Sequence, residues 1–145
     1  MSRFHLSVVC LPLVLGCAPQ LDNSVPVRPG IEVLLSDSLH LVADRSVGIL
    51  TNSTGIDRSG VGDIERLLAF GIDLRAVFAP EHGFFAQLDQ ENIGDDVDST
   101  TGLPIYSLYG DVREPTPEML ANLDVLLIDL QDIGARPYTY ISTAL

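Results

Sequence analysis

The chain has no lysine, and its eight basic residues are all arginine. A phosphate-binding loop of the Gly-x-x-x-x-Gly-Lys type is therefore excluded. Twenty acidic residues against eight basic ones give a net charge of -12, with no basic patch for nucleic acid or anionic lipid. Neither a glycine-rich dinucleotide fingerprint nor a Gly-x-Ser-x-Gly nucleophile elbow is present. Cysteine occurs only as Cys10 and Cys17, so the rest of the chain can hold neither a disulfide nor a thiolate metal site. His40 and His82 are too isolated to suggest zinc. The run Glu91, Asp95, Asp96 and Asp98 lacks the spacing of an EF-hand and reads as a solvated loop. No cofactor and no metal are expected. There is no internal repeat.

What is present begins with an export signal. Arg3 supplies a basic start, residues 6–15 are apolar, and Val14-Leu15-Gly16-Cys17 follows. The apolar stretch is too short to span a bilayer as a permanent helix. A small residue before cysteine at the end of such a run resembles the lipobox of a bacterial lipoprotein. That resemblance implies cleavage before Cys17, lipidation of its thiol, and anchoring at the membrane on the periplasmic or cell-envelope side. An ordinary secretory signal and a plain membrane anchor are the alternatives. Residues 17–29 carry Pro19, Pro26 and Pro29 and read as a polar tether. The division expected is residues 1–16 as signal, 17–29 as lipidated cysteine and tether, and 30–145 as one folded domain, with a hydrophobic fraction of 46% ample for a core. Towards the end, Pro137 opens a segment in which Tyr138, Ile141 and Leu145 recur at helical spacing. No cap or closing turn follows, and a truncated chain is expected.

Within the folded part, residues 30–35 suggest a short amphipathic helix with Ile31, Leu34 and Leu35 on one face. Residues 47–50 are an apolar run, the first strand, followed by loop formers over 51–55 and a turn at 57–60. Ile64, Leu67 and Leu68 make a helical stripe that Gly71 is placed to cap. Residues 74–78 read as the second strand. A polar loop is expected over 87–102, then a short extended segment over 103–108. Thr116 caps a helix with Pro117 in its first turn and Met119, Leu120 and Leu123 buried. Residues 125–130 are a nearly unbroken apolar strand. Strands alternating with helices, and apolar on both faces, indicate an α/β fold: a mainly parallel sheet with helices on both sides.

Parallel strands place their carboxyl ends on one edge, where open α/β folds bind ligands. Polar residues cluster there: Asn52 and Thr54 after the first strand, Glu81 and His82 after the second, Gln131 and Asp132 after the last. A carboxyl such as Glu81, partly desolvated at a strand end, has its pKa raised, which suits a general acid. It equally caps the next turn or pairs with an arginine. Asp132, nearer the rim than the partly buried Asp129, is the second carboxylate of choice. Asn52 and Thr54 are suited to a sugar hydroxyl or amide, or to satisfying their own turn. Arg136 is suited to clamping a carboxylate or to pairing with Asp132. Tyr138 and Tyr140 are suited to stacking on a sugar or to the core.

Five ordered blocks carry a resemblance: residues 47–55, Ala79-Pro80-Glu81-His82-Gly83-Phe84, residues 101–110, residues 115–120, and Asp129-Leu130-Gln131-Asp132-Ile133-Gly134-Ala135-Arg136-Pro137-Tyr138-Thr139-Tyr140. Together they resemble the N-terminal domain of the NamZ-type exo-β-N-acetylmuramidases, from about residue 30 to the last. The resemblance implies a Rossmann-like domain, a smaller C-terminal domain absent from these residues, and an active site between the two. It implies release of terminal N-acetylmuramic acid from peptidoglycan fragments in cell-wall turnover or recycling. It makes Glu81 a catalytic carboxylate, and the family's second glutamate falls past Leu145. Pro137 departs from the bulkier residue usual after the arginine. The expected partners are thus a muropeptide or peptidoglycan-derived sugar and, through the lipid anchor, a membrane; oligomeric state is not legible. Arg136 is the group suited to the lactyl carboxylate that sets muramic acid apart from glucosamine. The alternatives are a non-catalytic muropeptide-binding lipoprotein module and a metal-assisted hydrolase using Glu81, His82 and Asp132.

Overall fold

A computed structural model describes residues 27–85, 94–135 and 139–145. The signal, Cys17 and most of the tether lie outside these residues, as do Glu91, Arg136, Pro137 and Tyr138. The apolar runs form strands β1 (Ser46–Thr51), β2 (Asp73–Ala79), β4 (Pro104–Ser107) and β5 (Val125–Asp129). A two-residue strand, β3 (Asp96–Val97), falls within the stretch expected to be a plain loop; two residues carry no alternation by which to be recognised. Among the described residues four α-helices accompany them: α1 (Gly30–Asp37), α2 (Asp63–Ala69), α3 (Pro117–Leu120) and α4 (Tyr140–Ala144). Among the described residues no helix is long and apolar enough to cross a membrane.

The sheet order is β3-β4-β2-β1-β5, and every pairing is parallel except β3 with β4. Counting only the parallel strands, the order is third, second, first, fourth, the opening of the doubly wound arrangement. The chain moves outward from β1 in one direction through β2 and β4, then returns to β5 on the other side. The carboxyl ends of β1 and β5 therefore flank the switch point at which such folds bind ligands.

Helices cover both faces. On one, Ile31 and Leu35 of α1 and Ile64 and Leu67 of α2 pack on Val47, Ile49, Leu74, Val77, Ala79 and Ile105. On the other, Met119 and Leu120 of α3 pack with Leu123, Leu126 and Ala144 against Leu50, Ala76, Phe78 and Leu108. Leu74 and Val77 reach the same face although three residues apart. A register shift between Val47 and Gly48 on β1 lets Arg75 of β2 go unpaired, and it turns out to Asp73 at 2.7 Å.

Local signals set the helix ends. Gly71 (φ +74°) donates its N–H to Leu68, and Ile72 donates to Leu67, a Schellman closure that needs the left-handed residue glycine supplies. The Thr116 hydroxyl accepts the Met119 N–H at 3.4 Å, with Pro117 as the first helical residue. Two expectations change. The α3 helix ends at Leu120, so Leu123 joins the core from the following turn, and these side chains are half-buried rather than enclosed. In α4 the buried residue is Tyr140, whereas Ile141 and Leu145 are 53% and 99% exposed. Tyr140 is drawn inward by a hydrogen bond to Asn52, a partner that helical spacing does not reveal. On β5, Ile128 is 51% exposed, and among the described residues no strand pairs with the outer side of β5.

Candidate active site

Pro80 to Gly83 make a tight turn at the end of β2, closed by Gly83 N–H to Pro80 C=O at 3.0 Å. His82 (φ +71°) and Gly83 (φ +72°) are both left-handed. A histidine in that conformation costs about 1–3 kcal/mol, the kind of strain retained where a side chain must be aimed. The turn lifts Glu81, half-buried, onto the rim of the sheet. The Thr139 hydroxyl donates to its Oε2, and Tyr109, two residues beyond β4, adds a second hydrogen bond.

These contacts correct the expected ionisation. The Thr139 hydrogen bond, then Tyr109 and the neighbouring His82, hold the Glu81 carboxyl below the usual glutamate range, outweighing the opposing effect of burial. These contacts favour the Glu81 anion, the form that serves as nucleophile, base or electrostatic partner.

Asn52, directly after β1, is buried at 2% exposure. Its Nδ2 donates to the Tyr140 hydroxyl at 3.0 Å. Its Oδ1 accepts the backbone N–H of Thr54 at 3.0 Å and the Thr54 hydroxyl at 2.7 Å. The pair thus closes its own turn and ties β1 to α4. The Ser53 hydroxyl, donating to the Phe85 carbonyl at 3.2 Å, joins this loop to the one bearing Glu81. One edge therefore brings together Asn52, Thr54, Glu81, His82 and Tyr140. Gln131 and Asp132 follow β5 and are exposed, and the Asp132 carboxylate accepts the Gly134 N–H at 2.6 Å. Arg136, Tyr138 and Cys17 lie outside the described residues.

The acidic loop is occupied with backbone. Asp95 accepts the Ser107 N–H at 2.8 Å, Asp96 accepts that of Val97, and Asp98 accepts those of Thr100 and Thr101. Among the described residues no three ligating side chains are grouped to hold a metal ion.

A second acidic centre was not foreseen. Asp63, the first residue of α2, is 2% exposed, and its carboxyl meets that of Asp129 at the end of β5. Burial, followed by the adjacent Asp129 charge, pushes Asp63 up to about 7. Burial also raises Asp129. The Thr51 hydroxyl donates to Asp63 Oδ2 at 3.3 Å. A cavity of about 240 Å³ beside the pair opens under α1 rather than around Glu81, and its lining includes Gly30, Ile31, Leu34 and Ile49. An acidic residue opening a helix ordinarily complements the helix dipole at the surface, so nothing local signals this burial.

Gly55 makes the approach of Asp63 possible. A Cβ there would lie 2.3 Å from both Thr51 Oγ1 and Asp63 Oδ2, atoms enclosed and bonded to each other. Gly55→Ala should therefore destabilise the fold by about 3 kcal/mol, read by urea denaturation. A change below about 0.5 kcal/mol would show that the pocket gives way freely.

The family described as "Exo-beta-N-acetylmuramidase NamZ, N-terminal" matches residues 47–145. The chain belongs to the NamZ N-terminal domain family. It is 41% identical over 134 residues to the peptidoglycan β-N-acetylmuramidase NamZ of Bacillus subtilis (strain 168), covering 88% of this chain and 32% of that protein. Crystal structures of two DUF1343-family proteins from Bacteroides fragilis NCTC 9343 are also similar. One is 44% identical with a TM-score of 0.72, covering 81% of this chain and 29% of the other. The second is 30% identical with a TM-score of 0.63, covering 79% and 28%. This NamZ-type domain thus spans about a third of the length of the relatives it matches.

Proposed function

We propose that the chain is the N-terminal, Glu81-bearing part of an exo-acting β-N-acetylmuramidase that releases terminal N-acetylmuramic acid from peptidoglycan fragments. The observation that carries this reading is Glu81 itself. It is a carboxylate on a strained turn at the sheet's carboxyl edge, held ionised by Thr139 and Tyr109, in a chain 41% identical to a peptidoglycan β-N-acetylmuramidase.

Glycoside hydrolysis commonly sets two carboxyl groups across the scissile bond, one giving a proton to the leaving oxygen. Glu81 serves as the anionic partner, either attacking the anomeric carbon, activating water or stabilising an oxocarbenium ion. The proton donor comes from the rest of the full-length protein. Arg136 faces the lactyl carboxylate in this reading, and His82 adds to the Thr139 and Tyr109 contacts that favour the Glu81 anion. Asn52 and Thr54 hold the rim in shape and Tyr140 anchors it. Gln131 and Asp132 line its far side, with Tyr138 stacking on the sugar. The protein is exported and held at the membrane through Cys17, next to its substrate, with residues 30–145 forming the Rossmann-like catalytic domain.

The test supplies full-length protein with chromogenic β-N-acetylmuramide and, separately, β-N-acetylglucosaminide. Release of chromophore from the muramide alone is expected. Tight binding of the muramide without release would favour a non-catalytic muropeptide-binding module instead.

A further inference from the structure

The geometry points to Thr139 as the positioning residue of the site: its hydroxyl, donated to Oε2, fixes the direction in which the Glu81 carboxylate faces the substrate. This rests on Glu81 being the reacting carboxylate.

Thr139 is the residue before α4, and its backbone carbonyl accepts the N–H groups of Ser142 at 3.0 Å and Thr143 at 3.2 Å. A threonine there ordinarily gives its side-chain oxygen to the helix's first free N–H groups. Here the side chain makes no capping bond. The hydroxyl turns away from its own helix and donates to Glu81, 58 residues earlier in the chain. The backbone that carries it is anchored one residue later, because Tyr140 is buried and bonded to Asn52. The hydroxyl is thus presented from a fixed support just after β1 to a carboxylate in the turn that follows β2. Tyr109 completes the cradle from β4. A side chain that forgoes its local bond for a distant carboxylate is placed for that carboxylate's sake. Of the contacts bearing on Glu81, the Thr139 bond does most to keep it ionised.

The test uses full-length protein and a chromogenic β-N-acetylmuramide, comparing Thr139→Val, Thr139→Ser and Glu81→Gln. Valine matches threonine in shape, and no cap is lost with the hydroxyl. Thr139→Val should lower kcat about tenfold to a hundredfold with KM little changed, as expected for losing one hydrogen bond to a charged group. The acid limb of its kcat profile should move to higher pH, since the carboxylate loses the bond that favours its anion. Thr139→Ser should restore both. Wild-type kcat and pH limb in Thr139→Val, with Glu81→Gln inactive, would overturn the role of Thr139 and leave Glu81 standing. An active Glu81→Gln would instead overturn the functional reading, and this inference with it. Should the valine variant not fold, Thr139→Ala takes its place. A serine variant as impaired as either would also overturn the inference, by showing that the methyl group mattered and not the hydroxyl.

Discussion

Glu81→Gln, made in the full-length protein, is expected to lower kcat on a chromogenic β-N-acetylmuramide by about three orders of magnitude or more. The substitution is close to a pure removal of charge. Glutamine has the same length and volume, its amide oxygen still accepts from Thr139, and the turn from Pro80 to Gly83 is unchanged because its closing bond is between backbone groups. The melting temperature should therefore stay within about 2 °C of wild type. The wild-type pH profile carries a second signature. A carboxylate whose pKa is depressed stays charged until pH falls through that lowered value, so activity should persist from neutrality to below the usual glutamate range before declining. An acid limb at or above the ordinary value would assign it to another group. A glutamine variant with unimpaired turnover would remove Glu81 from the chemistry.

The second large effect concerns stability. Asp63 is raised to about 7 in the folded chain, against about 3.9 when unfolded. The folded state therefore holds the proton more tightly. The contribution of Asp63 to stability is fully present below about pH 4 and is lost as pH rises through about 7. Three pKa units correspond to about 4 kcal/mol at most. Burial disfavours the anion most, followed by the charges of Asp129 at the end of β5 and Asp57 in the preceding loop, while the hydrogen bond from the Thr51 hydroxyl favours it. Asp63→Asn keeps the shape and can still accept from Thr51 and donate to Asp129, but carries no charge at any pH. Unfolding free energies measured in urea from pH 4 to 8 should show the variant gaining on wild type as pH rises, with the difference levelling off above about 7. Taking that difference cancels carboxylates that do not face Asp63, such as Glu32, whose lowered pKa slopes the other way at lower pH. Parallel curves would show that the proton is not held where Asp63 sits.

These two acids differ in how far the sequence discloses them. The position of Glu81 was legible, because an apolar run and a proline place it at the end of a parallel strand. The strands β1 and β5, and the caps at Gly71 and Thr116, were legible for the same reason: a short unbroken apolar run, glycine at a left-handed site and a hydroxyl before proline all act within a few residues. Its ionisation was not legible, because Thr139 and Tyr109 reach it from other parts of the chain. Asp63 looks locally like any acid at a helix start, and only the return of β5 beside β1 encloses it. The two-residue β3 and the unpaired Arg75 have too little sequence of their own to announce themselves. Tyr140 was chosen over Ile141 for burial by a partner 88 positions away.

That separation bears on how the protein matures. The bonds from Thr139 to Glu81 and from Asn52 to Tyr140 close loops of 58 and 88 residues. Synthesis runs from the amino end, so the glutamate leaves the ribosome well before the threonine that restrains it, and long closures come late in assembly. Until α4 docks, a nascent chain bears an unrestrained carboxylate on an unfinished ledge. The rim that bears Glu81 is then assembled after the core beneath it, and a partly made chain would carry the carboxylate without the hydroxyl that orients it.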